Sequence, residues 1–321
     1  MFRIPLIKPY ITQEIKDKVC EVLDSGFLTE GLVTRELEDV ARNYIGCKYA
    51  IAVTSCTTGL EMALRALSIG PGDEVIVPDY THPATADAVA ITGARIVVVD
   101  ISRETMLIDY DAIEDAVTDR TKAVIPVSLF GNPLDYGRLS DIKRRCGVSI
   151  VEDAACSIGS EFKGIKVGNE ADITVFSFHP RKFITTGEGG LITTNQDTWA
   201  MWMHSYKNFG IEIGTSDSTV RFGQIGTNYK MSNILAAVGL CQMKRIDELL
   251  KRRIELAKNY IGLLSGTQGV ILPDTTRHGR HSMQSFCIYV ENRDEILGKM
   301  RQQGIEVQIG THALHMHSAF S

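Results

Sequence analysis

The residues best suited to chemistry lie in three short segments. In the first, Ser177-Phe178-His179-Pro180-Arg181-Lys182-Phe183-Ile184-Thr185-Thr186-Gly187-Glu188-Gly189-Gly190, a lysine stands between two apolar runs and is followed by a polar, glycine-rich stretch. Glycines let a backbone come close to a ligand. A lysine amine is nucleophilic near neutral pH only in a desolvated or electropositive setting, to which Arg181 beside Lys182 contributes. Read alone, an exposed lysine in a turn explains the segment equally well. The second segment, Ile150-Val151-Glu152-Asp153-Ala154-Ala155, puts an acidic pair at the end of an apolar run, the edge at which open α/β sheets bind ligands. An acidic N-cap is the ordinary alternative. In the third, Thr54-Ser55-Cys56-Thr57-Thr58-Gly59, hydroxyls lead from a strand into a helix, where free N–H groups and the helix dipole favour a phosphate. A plain Ser/Thr cap is the competing reading.

Together these are the parts required to hold pyridoxal 5'-phosphate. A lysine binds the aldehyde covalently, an Asp keeps the pyridine nitrogen protonated so that the ring acts as an electron sink, and hydroxyls at a helix start fix the phosphate. No G-x-G-x-x-G or G-x-x-x-x-G-K-[ST] occurs, so dinucleotide and P-loop readings lose their main support.

The elements that must position these residues alternate along the chain. An amphipathic helix around Ile15, Val19, Val22 and Leu23 stops at Ser25-Gly26, and a second covers Arg35 to Tyr44. Strands are expected at 49–53, 74–77, 95–99, 123–127, 149–151, 174–178 and 190–194. Helices between them fall at 57–67, 85–92, 113–117 and 139–145. Continuous apolar runs such as Ile96-Val97-Val98-Val99 suit strands covered on both faces. The expected fold class is therefore α/β, a large three-layer α/β/α domain with a mostly parallel sheet over residues 1–230. Beyond it, residues 231–321 read as a long helix or kinked pair over 232–260, whose charged rear half is a solvated face, and then a smaller α+β domain.

Composition excludes several classes. The chain has 321 residues, 44% hydrophobic and 23% charged, with 34 Lys and Arg against 39 Asp and Glu, a net charge of −5. That is too apolar for a disordered chain and lacks the basic stripe a nucleic-acid partner needs. No apolar run approaches the ~18 residues of a membrane span, and MFRIPLIKPY lacks a signal-peptide core. A cytoplasmic protein is expected. Seven scattered cysteines with no C-x-x-C pair fit reduced thiols, and no metal site is expected.

The same motifs carry a resemblance. Gly26-Phe27-Leu28-Thr29-Glu30-Gly31, Gly70-Pro71-Gly72-Asp73-Glu74-Val75, Thr81-His82-Pro83-Ala84-Thr85, Glu152-Asp153-Ala154-Ala155, the lysine segment and Gly226-Thr227-Asn228-Tyr229-Lys230-Met231 occur in order along essentially the whole chain. The sequence resembles the DegT/DnrJ/StrS family of nucleotide-sugar aminotransferases, which have the type I pyridoxal-phosphate fold. The resemblance implies that Lys182 binds the cofactor and moves protons, that Asp153 pairs with the pyridinium nitrogen, and that Ser177, Thr57 and Thr58 hold the phosphate. It implies that His82 stacks on the ring where the family usually has Phe or Trp. It also implies that Asn228 reaches the neighbouring subunit's cofactor, hence a homodimer with shared sites. The implied substrates are a nucleotide-linked keto sugar, a 4-keto-6-deoxyhexose, and glutamate as donor; charge and position alone make Arg221 and Lys207 candidates for the donor carboxylate. The departures are Cys56 for a common Gly, Cys156 where Gln or His usually meets the phenolic oxygen, and a chain ending at 312–321 before the family's last strand and helices. A sugar dehydratase of the same family usually has His in place of Lys182, and a binding protein that has lost turnover would not need Lys182 and Asp153 together.

Overall fold

The computed structural model describes residues 2–212 and 220–320. Helix α1, Gln13–Ser25, starts where the Thr12 hydroxyl accepts the Ile15 N–H and ends at Gly26 in the left-handed region. Helix α2, Leu32–Ile45, follows. Then comes the alternation: β1 Tyr49–Val53, α3 Cys56–Ala66, β2 Glu74–Pro78, α4 Ala84–Thr92, β3 Arg95–Val99, α5 Tyr110–Ala116, β4 Thr121–Val124, α6 Tyr136–Cys146, β5 Ser149–Asp153, β6 Ile173–Ser177, β7 Gly190–Thr194 and α7 Asp197–Tyr206. The expected strands and helices are all present, and some helix starts move outward by a few residues to a capping side chain. Asp109 and Asp135 cap α5 and α6 in this way. Helix α7 was not anticipated from the sequence.

The seven strands form one sheet in the order β1-β7-β6-β5-β4-β2-β3. Pairings from β6 through β5, β4 and β2 to β3 are parallel, whereas β7 runs antiparallel to both β6 and β1. Alternate residues of each strand face opposite layers. Ile51 and Val53 pack with Leu60 of α3, Val89 of α4 and Met203 of α7, while Ala50 and Ala52 pack with Leu37 of α2, Leu139 of α6 and Leu240 of the helix that follows. Both faces are thus covered, which is why the strands are apolar throughout.

Of the long helix or kinked pair expected over 232–260, the structure has the pair, α8 Asn233–Met243 and α9 Ile246–Leu264, broken at Lys244-Arg245. Helix α8 is buried against α1 and α2, and α9 carries the charged, solvated face. The apolar run 286–290 supplies only the short strand Tyr289–Val290, paired with Val270–Ile271 ahead of α10, Arg293–Gln302. The last residues are docked. His312–Ala313 pairs with Tyr80–Thr81, and His315 Nδ1 lies 2.6 Å from the Asp79 carboxylate.

Candidate active site

The topology brings the carboxyl ends of β1, β2, β5 and β6 and the start of β7 to one edge of the sheet. Ser55, capping α3, accepts the Thr58 N–H at 3.1 Å, and the Thr58 hydroxyl accepts the Ser55 N–H at 3.1 Å. The first N–H groups of α3 have no partners within the helix and open onto this edge. Gly190 lies against them so closely that a Cβ there would sit 2.6 Å from the Ser55 carbonyl carbon. Ser177 pairs with Gly190, so its hydroxyl stands one strand from the helix start.

Asp153 ends β5 and is only 4% exposed. Its Oδ2 accepts the Thr85 hydroxyl at 2.8 Å and its Oδ1 accepts the Ala155 N–H at 3.1 Å. A buried carboxylate held by two donors keeps acceptor capacity for a third. Lys182 stands in the turn between β6 and β7, with its Nζ 3.1 Å from the Cys156 Sγ. Burial pulls the Lys182 ammonium down, but the Cys156 sulfur, with Cys56 and Asp153 behind it, outweighs this and leaves its pKa above that of a free lysine. Cys56 Sγ lies 4.0 Å from Asp153 Oδ1, and burial pushes its thiol well up. His82 begins the turn before α4, its Nδ1 accepting the Ala84 N–H at 3.2 Å. Desolvation on the protein side lowers its pKa, with Asp153, Lys182 and His312 close enough to act on it.

The sequence-derived candidates Lys182, Asp153, Cys156 and His82 therefore lie near one another, with Ser177, Thr57 and Thr58 at the neighbouring strand end and helix start. The Thr58 hydroxyl is engaged in the cap. Among the described residues Asn228 shows no hydrogen bond to any of them. It lies exposed on the segment that lines Thr54, whose N–H bonds to the Tyr229 carbonyl at 3.1 Å. Lys207 is 1% exposed and closed off by Glu30 at 2.8 Å and Glu38 at 3.3 Å, so it is not available to a substrate carboxylate. Arg221 is exposed beside residues 213–219, which lie outside the described region. Sequence reasoning did not single out Thr85 as the Asp153 partner or Gln242 and Gln284 as partners of the lysine turn. Thr85 sat inside a quoted motif, but a hydrogen bond 68 residues away leaves no local trace. Among the described residues there is no His, Cys, Asp and Glu group able to hold a metal ion.

The family pattern that describes the DegT/DnrJ/EryC1/StrS aminotransferases matches residues 9–321. The chain belongs to that family. It is an aminotransferase with pyridoxal phosphate as cofactor. Over 98% of its length it is 36% identical to GDP-perosamine synthase of Caulobacter vibrioides, covering 86% of that protein. A protein assigned as a sugar aminotransferase in Streptococcus pneumoniae, solved in its PLP form, superposes with a TM-score of 0.92 at 31% identity, covering 99% of this chain and 87% of that one. PseC of Helicobacter pylori, an aminotransferase involved in the biosynthesis of pseudoaminic acid, gives a TM-score of 0.93 at 26% identity over 99% and 87%. The aminotransferase thus shares the type I fold expected from its sequence. No helix of its described residues is long and apolar enough to cross a membrane.

The site fits the cofactor on its own geometry. It offers a lysine amine for an aldehyde, a buried carboxylate with a spare acceptor for a pyridinium, and a helix start with hydroxyls for a phosphate. Glycine at position 190 lets β7 approach that helix start, where a Cβ would clash with the Ser55 and Cys56 backbone.

Proposed function

We propose that this aminotransferase moves the amino group of glutamate to a nucleotide-linked keto sugar, a 4-keto-6-deoxyhexose. The observation that carries the reading is the shared site of Lys182 and Asp153 in a chain 36% identical to GDP-perosamine synthase. Pyridoxal phosphate supplies an aldehyde that exchanges amino groups and a ring that takes up the electron pair of a broken C–H bond. Lys182 would hold it covalently, and its Nζ would serve as the acid and base that carries the proton. Asp153, oriented by Thr85, keeps the pyridine nitrogen charged. The N–H groups of α3, Thr57 and Ser177 hold the phosphate, and Thr58 acts through the cap that aims them. His82 would stack on the ring, and Cys156 stands beside the Lys182 amine.

The same reading makes the enzyme a homodimer in which Asn228 serves the other subunit's cofactor. Phe27 and Leu32 are each 79% exposed and Ile225, three residues before Asn228, is 95% exposed, apolar side chains that a second copy would cover. It also divides the chain into a cofactor-holding unit, 1–230, and a C-terminal unit, 231–321. The site suits a cytoplasmic enzyme, where nucleotide-linked sugars and glutamate are both at hand.

The test is an absorbance spectrum of the protein with pyridoxal phosphate, followed through addition of glutamate and then of GDP- and dTDP-linked 4-keto-6-deoxyhexoses. The expected result is a visible band that glutamate bleaches and one of the sugars restores. A band that glutamate leaves unchanged refutes the donor, and a bleached band that no keto sugar restores refutes the acceptor. Lys182→Ala is expected to abolish both the covalent band and turnover, and turnover retained in that variant removes Lys182 from the mechanism.

A further inference from the structure

The turn that carries Lys182 has no ladder partners of its own, since it lies between the ends of β6 and β7. Within the turn, the Lys182 N–H bonds to the His179 carbonyl at 2.8 Å. The groups on either side of Lys182 are held from elsewhere. The Gln284 side chain accepts the Phe183 N–H through Oε1 at 3.0 Å and donates through Nε2 to the Arg181 carbonyl at 2.8 Å. One buried amide thus grips the peptide groups that flank the lysine on both sides.

Gln284 is itself fixed. Its carbonyl accepts Arg253 Nη1 at 2.8 Å, and the Met283 carbonyl accepts the same atom at 3.3 Å. The Arg253 guanidinium also lies over the Phe183 ring, 5.3 Å from its centre. Two residues earlier, the Ser282 hydroxyl donates to the Cys156 carbonyl at 3.3 Å and the Ser282 N–H bonds to the Gly131 carbonyl at 3.1 Å. Between them Met283 has φ +55°, a left-handed conformation that costs a non-glycine residue energy and persists only where its surroundings demand it. The short segment 282–285 therefore ties together the two turns whose side chains, Lys182 and Cys156, meet at 3.1 Å.

We propose that Gln284, braced by Arg253, is a positioning residue for Lys182: its fork of hydrogen bonds sets the backbone from which the amine reaches the cofactor, and so sets the amine's reactivity. This rests on Lys182 being the cofactor lysine, not on the identity of donor or sugar.

The test uses the cofactor-free enzyme and two probes, acetic anhydride in trace amounts over a pH series and pyridoxal phosphate with borohydride trapping. The labelled peptide is identified by mass. Gln284→Leu, matched in size but without donor or acceptor, is expected to change the acylation rate of Lys182 and its rate of cofactor capture about 10-fold or more. Gln284→Glu adds a signature that a structural role would not produce. Its neutral carboxyl both donates and accepts as the amide does, whereas its carboxylate only accepts. Its Lys182 profile should therefore follow the wild type at low pH and the Leu variant at high pH, with one extra titration step. The Glu variant alone decides the matter if the Leu variant does not fold. Wild-type profiles in Q284L, or a Q284E profile without the extra step, overturn the proposal. Cofactor trapped on a lysine other than Lys182 in the wild type refutes the role of Lys182 instead, and the two failures are distinct.

Discussion

At the scale of single residues, the site is a set of buried polar groups that depend on one another. Asp153 has Thr85 as its side-chain donor at 2.8 Å, and hydrogen bonds to charged groups contribute ~1.5–3 kcal/mol. Thr85→Val is therefore expected to lower kcat about 10-fold or more with little change in KM for glutamate, measured by coupled assay of 2-oxoglutarate. An unchanged kcat would show that Asp153 needs no such orientation. Its neighbour Glu152 faces the opposite layer, fully buried, accepting the Tyr136 hydroxyl at 2.9 Å and the Thr174 hydroxyl at 3.3 Å, with Ser128 also hydrogen bonded. Burial pushes its carboxyl up to about 7, against the lowering effect of those donors. Above the ordinary carboxyl pKa the unfolded chain has released a proton that the folded chain still holds. Stability is thus lost as pH rises from about 4.5 to 7, by on the order of 3 kcal/mol. Glu152→Gln should flatten that part of the profile in denaturant titrations at pH 5 and pH 8, and an equally steep profile would place the titration elsewhere.

At the scale of elements, the phosphate end depends on how α3 begins. The Ser55 and Thr58 side chains cap each other's backbone N–H groups, which holds the first turn in the direction that opens its remaining N–H groups to the site. Ser55→Ala should cost ~1 kcal/mol of stability without cofactor and weaken pyridoxal phosphate binding several-fold, read by thermal unfolding and by titration of the visible band. Lost stability with unchanged affinity would confine the cap to a folding role. The capping signal was legible in the residues themselves, as was the stop of α1 at Gly26, because caps and left-handed stops are satisfied within a few residues. Helix α7 was not legible, and whether 232–260 is one helix or a kinked pair was left open. The apolar residues of α7 face a layer that only the assembled sheet defines, and α8 is buried around most of its surface, so it has no clean polar face to mark where α9 begins.

At the scale of the whole molecule, Phe27, Leu32 and Ile225 are exposed apolar side chains, a surface that the proposed dimer would cover, and Asn228 is exposed as well. Changing Phe27 and Leu32 together to Asp should shift the enzyme from dimer to monomer in sedimentation velocity and weaken cofactor retention. A variant that stays dimeric, or a monomer that keeps the cofactor as tightly, would refute shared sites. What the sequence determined by itself was local or periodic: the α/β alternation and the three segments that together imply pyridoxal phosphate, with Lys182 and Asp153 proposed as their centre. Such features depend on residue type and near spacing. Only the tertiary structure decided that β7 runs antiparallel, that Lys207 is consumed by Glu30 and Glu38, that Cys156 touches Lys182, and that Gln284 grips the lysine turn from 100 residues away. Each of these joins groups far apart in the chain, and the partner of a buried polar group is chosen by how layers pack against one another, which no local pattern records.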